Sequence, residues 1–200
     1  MPDEHYFTPD PSAHERPRHF TVVLRGQEFT LATEAGVFSR ERVDRGSRLL
    51  IAHMIVSPAD QVLDLGCGYG IVGLVAARLA PQGRVTMVDI NARAVRLAQV
   101  NLRANGIRNA EVLLGDGFDP VAGRRFDAIA INPPVRAGFA LIHRLIEEAQ
   151  EHLRAGGRFY LVGRTRQGVK RLAEKMRLVF GDVEEIAKGG GYRVYLALRP

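Results

Sequence analysis

From Gln61 onward the chain alternates short apolar runs with helical stretches, and this rhythm limits its architecture more than any other feature. QVLDL at 61–65, RVTMVDI at 84–90, AEVLLGD at 110–116, FDAIAIN at 126–132 and GRFYLVG at 157–163 read as strands. YGIVGLVAARLA, NARAVRLAQVNLRANG and FALIHRLIEEAQEHLRAGG read as helices among them. Asn91 and Gly106 cap the second of these helices, and the third is expected to stop on the pair Gly156-Gly157. In TRQGVKRLAEKMRLVFG a fourth helix puts Val169, Leu172, Met176 and Val179 on one face. The closing DVEEIAKGGGYRVYLALR gives two strands joined by a turn too short for a crossover, hence antiparallel. Strands alternating with helices demand a parallel sheet covered on both faces. The expected fold class is α/β: a doubly wound, mostly parallel seven-stranded sheet with an antiparallel C-terminal hairpin.

Upstream, HFTVVLR and EFTLATE alternate apolar and polar residues around Arg25-Gly26 and read as a short hairpin. A helix is expected from near Glu41 to about Ile55, and Ser57-Pro58 closes the element. Two hundred residues, 46% of them hydrophobic, are enough for one buried core and too few for two. The chain is therefore taken as a single domain, with 1–57 as an N-terminal hairpin and helix element on a core of 58–200. The single Cys67 cannot form an internal disulfide, so nothing points to an oxidising compartment. No apolar run approaches the roughly 18 residues of a membrane span. A cytoplasmic, soluble protein with no membrane partner is expected, and a monomer, since nothing in the pattern demands a second copy.

The net charge is +6, and its placement says more than its size. Residues 1–50 carry seven basic and eight acidic groups, which nearly cancel. Residues 152–181 hold eight cations, from Arg154 to Arg177, against Glu174 alone. Such an excess is either a footprint for a polyanion or a solvated helix face.

In a doubly wound sheet, ligands bind beyond the carboxyl ends of the strands. The first such end is LDLGCGYG, with Asp64, Gly66, Cys67, Gly68 and Gly70. Glycines let the backbone turn tightly and approach a ligand closely. A dinucleotide fingerprint needs a third glycine where Ile71 stands, so a nicotinamide enzyme is disfavoured. No Lys-Ser/Thr pair follows, which excludes a phosphate-binding P-loop. Asp89 ends the second strand, and Asp116-Gly117 ends the third. Either carboxylate alone could be a turn or cap residue. Three consecutive strand ends carrying this set describe a nucleoside-shaped ligand.

The order D-L-G-C-G-Y-G, V-D-I, G-D-G and N-P-P resembles the class I methyltransferases that use S-adenosylmethionine, from about Gln61 to the end. The resemblance implies their Rossmann-like fold, with an antiparallel last strand. It implies that the Gly66–Gly70 backbone wraps the methionine portion of the cofactor and that Asp89 holds the ribose. Ile90 would pack on adenine, with Asp116 near its amino group.

The stretch INPPVRAG, at 131–138, follows as a stiff corner. Pro133 and Pro134 fix the backbone and hold Asn132 extended. An exocyclic base amine is weakly nucleophilic and offers two N–H donors, which the Asn132 side-chain oxygen and the Pro133 carbonyl could accept. They would stabilise positive charge growing on nitrogen as it attacks a methyl group. The other reading is a structural cis-proline or turn. The corner resembles the N-P-P-[YF] motif of amino methyltransferases acting on adenine N6, guanine N2 or glutamine amides, but Val135 replaces the usual aromatic. Phe139 either substitutes for it or belongs to the core of the next helix.

HYFTPDPSAHERPRHF, GVFSRERVDRGSRLL and NPPVRAG together resemble the small-subunit ribosomal RNA guanine-N2 methyltransferases, and most closely their compact members. That family places the stretch around Phe38, Ser39 and Asp44 beside the cofactor pocket, and its larger bacterial members carry an additional N-terminal domain. The implied partner is RNA, as small-subunit rRNA or an assembly intermediate. Arg40, Arg42, Arg45 and Arg136 flank the site mouth as phosphate contacts or form surface ion pairs. Alternatives are transfer to adenine N6 of nucleic acid or to a protein glutamine, and a non-catalytic cofactor-binding module. The six histidines show no metal-ligand spacing, so no metal is expected, and Cys67 reads as small and cofactor-adjacent rather than nucleophilic.

Overall fold

The computed structural model describes residues 18–34, 43–133 and 138–200. A hairpin, β1 (Arg18–Leu24) and β2 (Gln27–Thr33), precedes α1 (Arg45–His53). The core follows as β3 (Gln61–Leu65), α2 (Ile71–Leu79), β4 (Arg84–Asp89), α3 (Ala92–Ala104), β5 (Ala110–Leu114) and β6 (Phe126–Ile131). It ends with α4 (Phe139–His152), β7 (Leu153–Arg164), α5 (Val169–Phe180), β8 (Val183–Gly189) and β9 (Tyr192–Leu198). The main sheet has seven strands in the order β5-β4-β3-β6-β7-β9-β8. Strands β3 to β7 pair in parallel, and β9 is antiparallel to both β7 and β8. The predicted α/β architecture is the one observed.

Successive strand residues divide between two cores, as the period of a strand requires. Val62, Met87, Ala128, Ala130, Tyr160 and Val162 face the helices α1, α2 and α3. Leu63, Val88, Ile129, Ile131, Phe159 and Leu161 face α4 and α5. The hairpin is fixed to α3 by two asparagines. Asn101, fully buried, accepts from the Ala32 amide (2.7 Å) and donates to the Ala32 carbonyl (3.0 Å), as a neighbouring strand would. Asn105 treats Thr30 the same way.

Three boundaries differ from expectation. Helix α1 begins at Arg45 because the Asp44 carboxylate accepts from the Gly46 and Ser47 amides and caps it there. Residues 41 and 42, expected in that helix, lie outside the described residues. Asn105 is the C-cap of α3, and Gly106 follows it with φ 63°. Helix α4 stops at His152 rather than at the glycine pair, because fully buried Leu153 pairs with Phe126 and opens β7. Gly156 and Gly157 then lie within β7, where the register shifts.

Candidate active site

The glycine loop leaves the carboxyl end of β3 and is tied to β4. The amides of Gly66 and Cys67 both donate to the Val88 carbonyl, at 2.8 and 3.0 Å. Gly66, Gly68 and Gly70 alternate in the left-handed region, with φ 71°, 58° and 93°. A Cβ at Gly66 would meet nothing within 4 Å, so that stretch of backbone faces open space. At Gly70 it would press on Ala98 and Leu74, both at 3.1 Å, so that turn is closed by packing. Gly73 was not singled out in the sequence, yet it matters as much. Its missing side chain lets α2 close on Met87, 2.6 Å from the would-be Cβ, and its amide donates to Asp64 at 2.8 Å. A glycine inside an apolar helix gives no local signal of that contact.

Asp64 is buried beneath the loop, and its carboxyl is pushed up to about 7. Burial is the main cause, opposed by the Gly73 amide and reinforced by the charge of Asp89. Asp89, 2% exposed at the end of β4, accepts from the Gly68 amide (2.7 Å) and from the Asn91 amide (2.9 Å). One carboxylate thus sets both the loop and the start of α3. Ile90 follows, half-buried. Asp116 lies beyond β5, exposed, accepting from Arg144 at 3.4 Å, and Gly117 turns with φ 51° against Leu145. Burial, then Asp89 and Asp64, raise the Cys67 thiol, which makes it a poor nucleophile. An open glycine backbone beside a buried strand-end carboxylate fits a nucleoside-bearing ligand.

Asn132 stands at the end of β6, the strand next to β3. Its Nδ2 donates to Ser47 Oγ at 3.1 Å and toward Asp44 Oδ1 at 3.4 Å. An ionised carboxylate only accepts, so the amide nitrogen must face α1 and the oxygen must turn away from it. That oxygen has no partner among the described residues. Pro133 is buried, and no peptide bond among the described residues is cis. Ser47 was missed from the sequence because it reads as an ordinary first-turn helix residue.

Phe38, Pro134, Val135 and Arg136, with Ser39, Arg40 and Arg42, lie outside the described residues. Phe139 opens α4 with its ring between two helices. The Arg171 guanidinium lies 4.8 Å from its centroid, a Cβ at Gly168 would sit 2.6 Å from its Cζ, and the His143 ring meets it edge-on with centroids 6.2 Å apart. A cavity of about 260 Å³ between the hairpin and α3 is lined by none of the strand-end residues. Among the described residues no cluster could hold a metal, and no helix is long and apolar enough to cross a membrane.

Residues 28–196 match the methyltransferase small domain family. An uncharacterized Bacillus subtilis protein, YbxB, is 37% identical over 196 residues, covering 97% of this chain and 98% of that one. The ribosomal RNA small subunit methyltransferase C of Pseudomonas aeruginosa is 36% identical over 194 residues, covering 95% of this chain but only 57% of its own length. The structure of a T. thermophilus 16S rRNA guanine-N2 methyltransferase, bound to AdoMet and guanosine, superposes with a TM-score of 0.82 and 30% identity. It covers 95% of this chain and 52% of the other, so the chain spans about half the length of the relatives named for ribosomal RNA.

Proposed function

Because the chain belongs to the methyltransferase small domain family, we propose that it transfers a methyl group from S-adenosylmethionine to an exocyclic amine of RNA, guanine N2 of small-subunit ribosomal RNA. The cofactor, when bound, supplies an electrophilic methyl on a sulfonium sulfur. The chain's own residues do the rest. Gly66 to Gly70 offer the backbone against which the cofactor lies, and Asp89 receives its ribose. Asn132 Oδ1 and the Pro133 carbonyl accept the two N–H donors of the target amine and aim its lone pair. The nitrogen–carbon bond forms as the carbon–sulfur bond breaks, and the nitrogen then releases its extra proton to water. No strong base is needed.

The observation that carries this reading is the seat of Asn132. Ser47 and Asp44 hold its nitrogen, so its oxygen is a fixed acceptor at the strand end beside the glycine loop. A preorganised acceptor stabilises charge without reorganising during the step. The test is transfer of labelled methyl to naked rRNA and to small subunits from cells lacking this gene, followed by digestion to nucleosides. Label in N2-methylguanosine is expected. Label in N6-methyladenosine would reassign the base, and label only in protein would overturn the RNA reading.

A further inference from the structure

Two of the cations around the Asn132 corner rest on aromatic rings. Arg164 ends β7, donates through Nε to the Tyr192 hydroxyl at 2.6 Å and lies over the Tyr192 ring at 5.1 Å. Arg171 lies over Phe139. Arg45, Arg166, Lys170 and Lys188 are exposed beside them. The Arg45 stem lies 3.3 Å from a Cβ built on Gly190, in the β8–β9 turn, and the Thr165 amide donates to the Gly191 carbonyl. Tyr192 also abuts the first turn of α1, 2.8 Å from a Cβ built on Gly46. That turn carries Ser47, which holds Asn132.

None of these six cations lies within 4 Å of a carboxylate among the described residues, although Lys188 acts on Glu185 from farther away. Asp44 is the lone acid in segments 43–48, 163–171 and 188–192, and its Oδ1 already accepts two amides. An aromatic ring attracts a guanidinium through its quadrupole but carries no net charge. Such a seat orients the cation and leaves its charge whole, whereas a carboxylate cancels it.

We propose that Arg164 and Arg171 on their aromatic seats, with Arg45, Arg166, Lys170 and Lys188, form a rim that binds the phosphate backbone of RNA beside the Asn132 corner. The inference rests on the proposed RNA substrate and names the surface that grips it. A polyanion gains by neutralising fixed cations and releasing its counterions. Two planar guanidiniums at set positions also suit the geometry of phosphate oxygens.

Two double variants with the same change in charge test it. Arg164→Gln with Arg171→Gln alters the rim, and Arg124→Gln with Arg154→Gln alters exposed arginines paired with Glu111 and Asp127. Binding to a small-subunit rRNA fragment is read by anisotropy over a salt series, with no turnover required. The rim variant should bind roughly tenfold more weakly, and its salt slope should flatten by about 1.4 for a single-stranded contact, while the paired variant matches the parent. Equal weakening of both variants, or of neither, overturns the rim. Loss of binding to polyglutamate with RNA binding intact would overturn it too, making the surface a protein dock. A chain that binds RNA through the rim yet labels no nucleoside keeps this inference and sinks the proposed reaction.

Discussion

At the amino end of the sheet, Arg158 lies 2.7 Å from Asp60, and Arg154 lies 2.8 Å from Asp127, whose carboxylate also accepts from the Gln61 amide. Arg84 and Arg124 share Glu111 there. At the carboxyl end, around β6 and β7, Arg164 and Arg171 rest on rings, and Asn132 has its nitrogen held and its oxygen without a partner among the described residues. The first arrangement saturates its polar groups and serves stability. The second leaves charge and one acceptor unspent. The difference teaches where to look in such a sheet: toward the end whose polar groups are oriented but unsatisfied.

Substitutions at the two ends should therefore fail in different ways. Asn132→Ala should lower kcat about a thousandfold, some 4 kcal/mol of barrier, with cofactor affinity within about threefold of the parent. Equal loss of both in a calorimetric titration would remove Asn132 from the chemistry. Asp60→Ala should cost about 3 kcal/mol of stability in urea unfolding, because it strands a largely buried Arg158, with the rate per folded molecule unchanged. A rate defect there would blur the contrast. Ser47→Ala leaves the Asn132 amide only its longer bond to Asp44 and should lower kcat about tenfold with little change in melting temperature; a pure stability loss would make Ser47 a packing residue only.

Asp64 gives an effect read as a slope. Its carboxyl is held near 7 when folded, above an ordinary carboxylate, so the folded state binds the extra proton. Its contribution is fully present below about pH 4 and is lost as pH rises through about 7. Stability should fall by up to about 1.4 kcal/mol per pH unit across that window, and Asp64→Asn should flatten the slope. Smallest of all, Tyr192→Phe keeps the ring under Arg164 but removes its hydroxyl acceptor, and should cost about 1 kcal/mol of stability in the same unfolding assay.

The sheet was legible because burial on both faces writes apolar runs of strand length, and the glycine loop because only glycine tolerates three alternating left-handed residues. The place of Asn132 at the end of β6 was legible from the apolar run before it, which is a local property. What the sequence hid was long-range. The contact of Ser47 with Asn132 spans 85 residues, and that of Asn101 with Ala32 spans 69. Neither leaves a periodic trace. The end of α4 was misplaced because Gly156-Gly157 looks like a helix stop, while the pairing of Leu153 with β6 decides the matter earlier. The basic window at 152–181 mixed two populations. Arg154, Arg158 and Lys175 have carboxylate partners, whereas Arg164, Arg166, Lys170 and Arg171 have none among the described residues.

Asn101 has one more bond, a donation to the Tyr69 carbonyl inside the glycine loop at 2.8 Å. One buried amide therefore spans the hairpin backbone and the glycine loop. An engineer trimming the chain to a minimal fragment would be tempted to start just before β3, where the glycine signature begins. That cut would strip Asn101 of both its Ala32 bonds and Asn132 of its Ser47 seat. The shortest fragment that keeps its working geometry must reach back through the hairpin, well upstream of the motif by which such chains are recognised.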